Sequence, residues 1–259
     1  MSPVTYTLDG RVARIRLTGE RGNPLTQSTV DILHSAVRQA RRDKAHVVVL
    51  SAEGKAFSVG GDVSVFAGAE DVGVLVDDLA EALHRTVNEL HRLDAIVVSV
   101  VQGTAAGAGF PLAAAADLVL AAESARFTLA YTKLGFSPDG GSSLLTATVG
   151  LHQAMRLALL NPVLSAAEAH QLGLVAEVHP DDELAAAAER VVQRLAAGSN
   201  AAQSATKRLL RDAALPASEA ALRRETMSVR ACAAGPDGLE GVAAFLEKRP
   251  PQFPSASPA

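Results

Sequence analysis

A glycine-rich stretch at residues 102–117 (QGTAAGAGFPLAAAAD) most constrains how this chain can fold. It follows an apolar run, residues 95–101, that predicts a buried strand. Glycine permits a tight turn, and Pro111 is tolerated only in the first turn of a helix, so we expect a helix to begin near Ala108. The free N–H groups of a helix start favour negative charge on oxygen. The stretch therefore indicates either a site for a phosphate or a developing oxyanion, or a tight connection without a ligand.

The glycine spacing and the charge balance argue against several functions. The spacing supports a dinucleotide site poorly, and it excludes a P-loop. The net charge is -4, and Lys and Arg are scattered along the chain, which argues against a nucleic-acid partner. Aromatic residues make up only 3% of the chain, so few side chains could stack on bases.

Length and composition indicate one domain, with at most a small appendage. The 259 residues are 48% hydrophobic, which is enough to bury a full core. Cys232 is the only cysteine, so no internal disulfide can form. We expect no membrane contact and a cytoplasmic location, because neither a signal segment nor an apolar run of about 20 residues is visible.

The order of the predicted elements indicates an α/β fold. Alternating residues 5–8 and 12–17 flank Asp9-Gly10, which is a hairpin signal. Strands then recur between helices, one capped by Thr26 and a long one at residues 74–93, up to about residue 178. From there the pattern is almost purely helical. We therefore predict an α/β core at residues 1–195 and a helical C-terminal region at residues 196–259 with a loose tail.

A second glycine junction occurs at residues 53–62 (EGKAFSVGGD). If it meets the first one in space, Gly61 and Ala108 would each offer a backbone N–H to one site. The alternative is two independent turns. Asp62 is interpreted as a helix cap rather than as a catalytic residue.

Asp139 is the carboxylate of greatest interest among the polar residues. Its P-D-G setting predicts a turn in which Asp caps a helix, and the alternative is a general base. The seven histidines lack metal-ligand spacing, so we expect no metal site. His84 and His91 lie seven residues apart in one helix and are interpreted as a solvated or packed pair.

Five segments make the chain resemble the enoyl-CoA hydratase/isomerase (crotonase) superfamily over nearly its whole length. They are residues 55–62 (KAFSVGGD), 102–127 (QGTAAGAGFPLAAAADLVLAAESARF), 135–141 (GFSPDGG), 164–175 (LSAAEAHQLGLV) and 241–253 (GVAAFLEKRPPQF). The resemblance implies a spiral of ββα units with a C-terminal helical trimerisation region. It also implies a homotrimer or a dimer of trimers.

The same resemblance implies an acyl-CoA thioester as substrate and assigns its contacts. The thioester oxygen would lie between the N–H groups of Gly61 and Ala108, which would stabilise an enolate. The resemblance places further substrate and CoA contacts at Lys55, Ala56, Ser58, Asp62, Phe245 and Lys248. No cofactor is expected beyond the coenzyme A that is part of the substrate.

The departures from the family pattern favour isomerisation over hydration. The two glutamates of typical hydratases would fall at Pro111 and Tyr131, and neither residue can replace a carboxylate base. Asp139 falls where certain family isomerases carry a catalytic aspartate. The run FTLAYTKLGFSPDGG is similar to ring-1,2-epoxyphenylacetyl-CoA isomerases and Δ3,Δ2-enoyl-CoA isomerases. Pro111, Tyr131, Phe110 and Phe136 would then line an apolar acyl pocket.

The sequence thus predicts an acyl-CoA isomerase in which Asp139 moves a proton between two carbons of an enoyl or epoxide substrate. An alternative is a hydratase or thioester hydrolase of the same superfamily that uses Asp139 with a bound water. An alternative of another class is an acyl-CoA-binding subunit without turnover, in which Asp139 only caps a helix.

Overall fold

The structure is a computed structural model that describes residues 2–216 and 218–256. Its strands are β1 (Val4–Asp9), β2 (Val12–Leu17), β3 (Val47–Ala52), β4 (Ala56–Ser58), β5 (Ile96–Val101), β6 (Thr104–Ala106), β7 (Leu118–Ala122), β8 (Arg126–Thr128), β9 (Leu164–Ser165) and β10 (Glu177–His179). Its α-helices are α1 (Gln27–Arg42), α2 (Val63–Phe66), α3 (Val72–Arg92), α4 (Gly109–Ala114), α5 (Thr146–Val149), α6 (Leu151–Leu160), α7 (Ala166–Gln171), α8 (Leu184–Ala196), α9 (Asn200–Ala214), α10 (Ser218–Ala234) and α11 (Pro236–Leu246). Short 3₁₀ helices span Tyr131–Leu134, Ser142–Leu145 and Pro254–Ala256.

The strands form two sheets, and each turn of one spiral contributes strands to both of them. The larger sheet has the order β1-β2-β3-β5-β7-β10, and the smaller has the order β4-β6-β8-β9. Each of the pairs β3/β4, β5/β6 and β7/β8 places its first strand in the larger sheet and its second in the smaller, and helices follow. Successive turns pair in parallel, as in β3 with β5 and β4 with β6. This is the predicted α/β spiral of ββα units.

Local sequence signals account for many of the element boundaries. β1 and β2 form the expected antiparallel hairpin, with Gly10 at φ 56° in its turn. The Thr26 side chain accepts a hydrogen bond from the Thr29 N–H and starts α1. Ser165 and Glu168 form a complete capping box at the start of α7.

One expectation for the glycine-rich stretch needs correction. Residues 104–106, predicted as part of a turn, form β6, because the smaller sheet supplies pairing partners on both sides. The helix that follows begins at Gly109 with Ala108 as its N-cap, as expected, but it has only six residues. Its close approach to β4 explains the glycine, since a Cβ at Gly109 would lie 2.6 Å from the Ser58 carbonyl oxygen.

The C-terminal part of the described chain is helical. Helix α8 packs Leu184, Ala188 and Val192 against the larger sheet, whereas α10 packs along α3. The Gln252 and Ser255 N–H groups donate to side chains of α11, so this part of the tail is held on that helix. The tail at residues 250–259 was predicted to be loose, and this prediction is wrong for residues 252–255. Residues 257–259 lie outside the described residues. Among the helices of residues 2–216 and 218–256, none has the length and apolar character that crossing a membrane requires.

Candidate active site

The two glycine junctions meet in the structure. Parallel pairing of β4 with β6 brings the ends of both strands together. Gly60 has a φ of 85°, and a Cβ there would lie 2.8 Å from the Ala106 carbonyl oxygen and 3.0 Å from the Ala108 nitrogen. In the described chain, neither the Gly61 nor the Ala108 N–H donates to a side chain or to a loop carbonyl. Both residues line one cavity, where these N–H groups could serve an outside oxygen.

This cavity, which we call the Asp139 cavity, has a volume of about 280 Å³. Its walls are mainly apolar side chains of α2, α3 and the segment at residues 129–136. Phe66 and Phe136 contact each other in its wall, with ring centroids 5.9 Å apart. Of the described residues that line it, Asp139 is the only carboxylate, and the other charged residue, Lys133, is exposed. A buried acid therefore faces an apolar space close to two backbone N–H groups.

Two of the four residues expected to line an acyl pocket line the Asp139 cavity. Tyr131 and Phe136 line the Asp139 cavity. Phe110 does not, because its ring packs against Phe127 in the core, with centroids 5.4 Å apart. Pro111 does not either, since it lines a different cleft between α4 and α9. The residues that would carry the two hydratase glutamates therefore lie in different environments.

The backbone of Asp139 is held by two hydroxyl groups. Tyr131 donates to the Asp139 carbonyl oxygen at 3.1 Å, and Ser142 donates to the same oxygen at 2.6 Å. Burial, followed by the charges of Asp139 and Glu225, raises the pKa of Tyr131 well above its ordinary value, so its hydroxyl stays neutral. The cap interpretation of Asp139 is wrong, because the following 3₁₀ helix has Gly141 as N-cap and no side-chain cap.

The Asp139 side chain belongs to a buried cluster with His84 and Glu225. The His84 Nε2 atom lies 2.9 Å from Asp139 Oδ1 and 3.3 Å from Glu225 Oε2. Among the described residues, His84 Nε2 and Asp139 Oδ1 have no other hydrogen-bond partner. The two atoms are close, but they are not aligned as in an ideal hydrogen bond. All three side chains lie in the interior, because the exposed fractions of His84, Asp139 and Glu225 are only 3%, 7% and 5%.

The two carboxylates dominate the electrostatics of His84. Burial alone would lower the pKa of His84, but the close contacts and charges of Asp139 and Glu225 outweigh burial and raise it from 6.5 to about 9. His84 is packed in the interior, which is one of the two alternatives expected from the sequence, but its partners are Asp139 and Glu225 rather than His91. Burial, with the charges of Arg211 and Lys207, instead lowers the pKa of His91 to about 3.

The same cluster contains residue types that can bind metal ions. Its donor atoms lie within 4.8 Å of one another. Both Glu225 oxygens already accept backbone hydrogen bonds, from Gly141 and Ser143 at 2.7 Å each. The contacts of His84 with both carboxylates are those of an ion pair. The arrangement is accounted for without a metal ion, and the absence of a metal stays a prediction.

The remaining residues assigned by the resemblance lie around β4 and the C-terminus. Lys55 is exposed at the start of β4, whereas Ala56 and Ser58 are buried on that strand. Asp62 caps α2 by accepting from the Ser64 N–H, which confirms the cap interpretation. The last two residues lie on and just after α11: Phe245 lines the Asp139 cavity, and Lys248 is exposed outside it.

Two residues of the cluster, His84 and Glu225, were not identified from the sequence as parts of a site. They lie on different helices, 55 and 86 residues from Asp139 along the chain. One signal could have found Glu225, because it shares the buried face of α10 with Leu222, Thr226 and Val229. A charged residue within an apolar helix face requires a buried partner.

Comparison with known proteins defines the class of protein to which this site belongs. The model of the family described as "Enoyl-CoA hydratase/isomerase" matches residues 8–256. The chain belongs to this family. The fold agrees, because a crystal structure of an enoyl-CoA hydratase from Mycobacterium avium subsp. paratuberculosis K-10 superimposes with a TM-score of 0.89. That protein is 36% identical, and the match covers 97% of this chain and 98% of the other.

Relatives with different named activities are similar to this chain to nearly the same degree. 1,2-Epoxyphenylacetyl-CoA isomerase from Escherichia coli K12 is 35% identical over 90% of this chain and 91% of its own length. Trans-2-decenoyl-[acyl-carrier-protein] isomerase from Streptococcus mutans is 32% identical over 96% of this chain and 97% of its own. A probable enoyl-CoA hydratase from Rhodobacter capsulatus is 36% identical over 89% of both chains. The family is therefore shown, and the individual reaction has to be argued from the site.

Proposed function

We propose that this protein is an acyl-CoA isomerase that shifts a double bond or opens an epoxide through an enolate. The observation that carries the proposal is the single carboxylate, Asp139, among the described residues that line the cavity. A proton shuttle needs one base that can return the proton it removes, whereas adding water normally needs a second group. Positions 111 and 131 offer no second carboxylate.

In this mechanism, Asp139 removes a proton from one carbon of the bound acyl group and returns it at another. Charge then moves to the thioester oxygen, where the N–H groups of Gly61 and Ala108 stabilise it more strongly than in the ground state. The apolar walls exclude water and so protect the enolate from competing reactions. The reaction neither oxidises nor reduces the substrate, so no cofactor beyond coenzyme A is needed.

The proposal includes a homo-oligomer and a cytoplasmic location. Apolar side chains on α6 and α9 are exposed, with Leu160 at 75% and Leu209 at 70% of their surface. Exposed apolar patches of this kind are typical of protein interfaces. The proposed assembly is a trimer or a dimer of trimers. In it, Lys248 would contact the CoA of its own subunit or that of a neighbouring subunit.

The proposed reaction is tested by supplying the purified protein with a 3-enoyl-CoA and, separately, with crotonyl-CoA. We expect the absorbance of a conjugated 2-enoyl thioester to rise in the first reaction and no loss of it in the second. Rapid uptake of ¹⁸O from labelled water by crotonyl-CoA would refute isomerisation in favour of hydration. CoA binding without turnover on a panel of enoyl and epoxide thioesters would instead favour the non-catalytic subunit.

Asp139→Asn tests the assigned base directly. Asparagine keeps the size of the side chain but cannot accept a proton at neutral pH, so we expect kcat to fall by about 10² to 10⁴-fold while CoA binding persists. Asp31→Asn, an exposed change on α1, is the matched control and should leave turnover unchanged. Unchanged turnover in Asp139→Asn would exclude Asp139 as the base.

A further inference from the structure

Glu225 connects the C-terminal helix α10 to the loop that carries Asp139. Its Oε2 accepts the Gly141 N–H and its Oε1 accepts the Ser143 N–H, each at 2.7 Å. Gly141 has a φ of 96°, a conformation that favours glycine and that presents its N–H to this carboxylate. Hydrogen bonds from two backbone donors favour the charged form of a carboxylate. Glu225 therefore fixes the residues just after Asp139 at two points.

The groups next to the two ring nitrogens of His84 favour a proton on both of them. Nε2 faces two carboxylates, which as anions can only accept a hydrogen bond. Nδ1 lies 3.0 Å from the Thr226 hydroxyl, which can donate its own proton to the Leu222 carbonyl oxygen at 3.4 Å. The hydroxyl oxygen is then free to accept from Nδ1–H. This assignment makes the His84 side chain a cation.

A cation at this point decides how many carboxylates in the cluster stay ionised. Two buried carboxylates close to each other resist being ionised together, so one of them takes up a proton. A protonated Asp139 cannot act as a base. His84 lies against both carboxylates and cancels one of the two charges.

We propose that His84, bridging Asp139 and Glu225 as an imidazolium, is a positioning residue that keeps Asp139 anionic and fixed against the cavity, with Glu225 as its anchor. This inference rests on the proposed function, in which Asp139 is the base. The cluster then carries one net negative charge before the reaction and becomes neutral when Asp139 takes the substrate proton. The C-terminal helix α10 is part of the catalytic arrangement through Glu225.

The surroundings of His84 contain few other titratable groups. On its own helix, Glu81 lies one turn away and is paired with Arg223 of α10. Asp139 and Glu225 are the carboxylates of other elements that contact His84. The neutral Tyr131 hydroxyl donates to the Asp139 backbone carbonyl. The protonation of His84 should therefore respond to removal of Asp139 or Glu225, and much less to removal of Glu81.

The first test needs no substrate and therefore does not depend on the proposed function. Histidine-¹⁵N NMR of the folded protein reports the protonation of both ring nitrogens of His84 as the pH is raised. We expect both nitrogens to be protonated at pH 7, and neutral His84 at pH 7 would overturn the proposal. We also expect Glu225→Gln to move the titration midpoint down by at least one pH unit, whereas the exposed α10 change Glu219→Gln should not move it. A change in the His84 ¹⁵N signals on addition of EDTA would reveal a bound metal ion and would also overturn the proposal.

The second test separates positioning from a structural role by kinetics. Glutamine at position 84 can still donate a hydrogen bond but carries no charge, so His84→Gln should lower kcat by about 10 to 100-fold. KM should change by less than about threefold, because His84 is not among the residues that line the cavity. The loss of activity at high pH, expected with a midpoint near 9 in the wild type, should be absent from the variant.

Two comparisons make the kinetic result decisive. Glu225→Asp keeps the charge and should retain more activity than Glu225→Gln, which a merely structural role would not require. His152→Gln, at an exposed site on α6, is the control for the histidine change. Unchanged kcat and pH profile in a folded His84→Gln variant would overturn the inference, while activity in Asp139→Asn would refute the proposed base itself.

Discussion

The raised pKa of His84 predicts how the free energy of unfolding depends on pH. The native pKa of about 9 exceeds the ordinary value of 6.5, so the folded protein binds the proton more tightly than the unfolded chain does. This contribution to stability is fully present below pH 6.5 and is lost as the pH rises through 9. Since one pH unit of difference corresponds to about 1.4 kcal/mol, the full contribution is about 3 kcal/mol.

The prediction is tested by raising the pH from 7 to 9 and comparing the free energy of unfolding of the wild type with that of His84→Gln. Over this interval, the wild type should lose about 2 kcal/mol more of its free energy of unfolding than the variant loses. Urea unfolding at a fixed protein concentration, repeated at each pH, measures this difference. The comparison cancels the contributions of other groups, such as His91, that both proteins share.

The result that would refute this reasoning is an equal pH dependence in both proteins. It would mean that His84 binds its proton no more tightly in the folded state than in the unfolded chain. A steeper loss in the variant would refute it as well, because the sign would then be opposite to that of a cation held between two carboxylates. His152→Gln should follow the wild type at every pH.

Two further changes test the supports around the cavity. Tyr131→Phe removes one of the two hydroxyl donors to the Asp139 carbonyl, so we expect kcat to fall by about fivefold or less in the isomerase assay; a fall of 100-fold or more would give Tyr131 a chemical role. Gly109→Ala places a Cβ 2.6 Å from the Ser58 carbonyl oxygen and should lower Tm by about 4 °C or more, measured by calorimetry. Gly68→Ala, where a Cβ meets open space, should leave Tm nearly unchanged.

The elements with strong local chemistry could be predicted from the sequence. The Asp9-Gly10 hairpin, the Thr26 cap and the capping box of α7 depend on side chains and backbone groups only a few residues apart. The strand β6 could not be predicted, because Thr104–Ala106 has only three residues and no alternation of apolar and polar side chains. Its strand conformation comes from pairing with β4 and β8.

The candidate site was predictable only in part. Asp139, Gly61 and Ala108 stand in motifs that the family resemblance covers, and the structure places all three around one cavity. The isomerase hypothesis also placed Phe110 in the pocket, but the ring of Phe110 packs into the core against Phe127. The partners of Asp139 are separated from it by long stretches of chain and depend on how α3 and α10 pack, which no local pattern encodes.

The position of Glu225 has a consequence for the order of events during synthesis. A growing chain completes the whole spiral, including Asp139 and both glycine junctions, before α10 is made. Until then the loop after Asp139 lacks its two-point anchor, and His84 has only one carboxylate to contact. On the proposed arrangement, Asp139 becomes fully positioned as the base only when α10 has docked. Chains that end before α10 would therefore turn over acyl thioesters more slowly than the finished protein does.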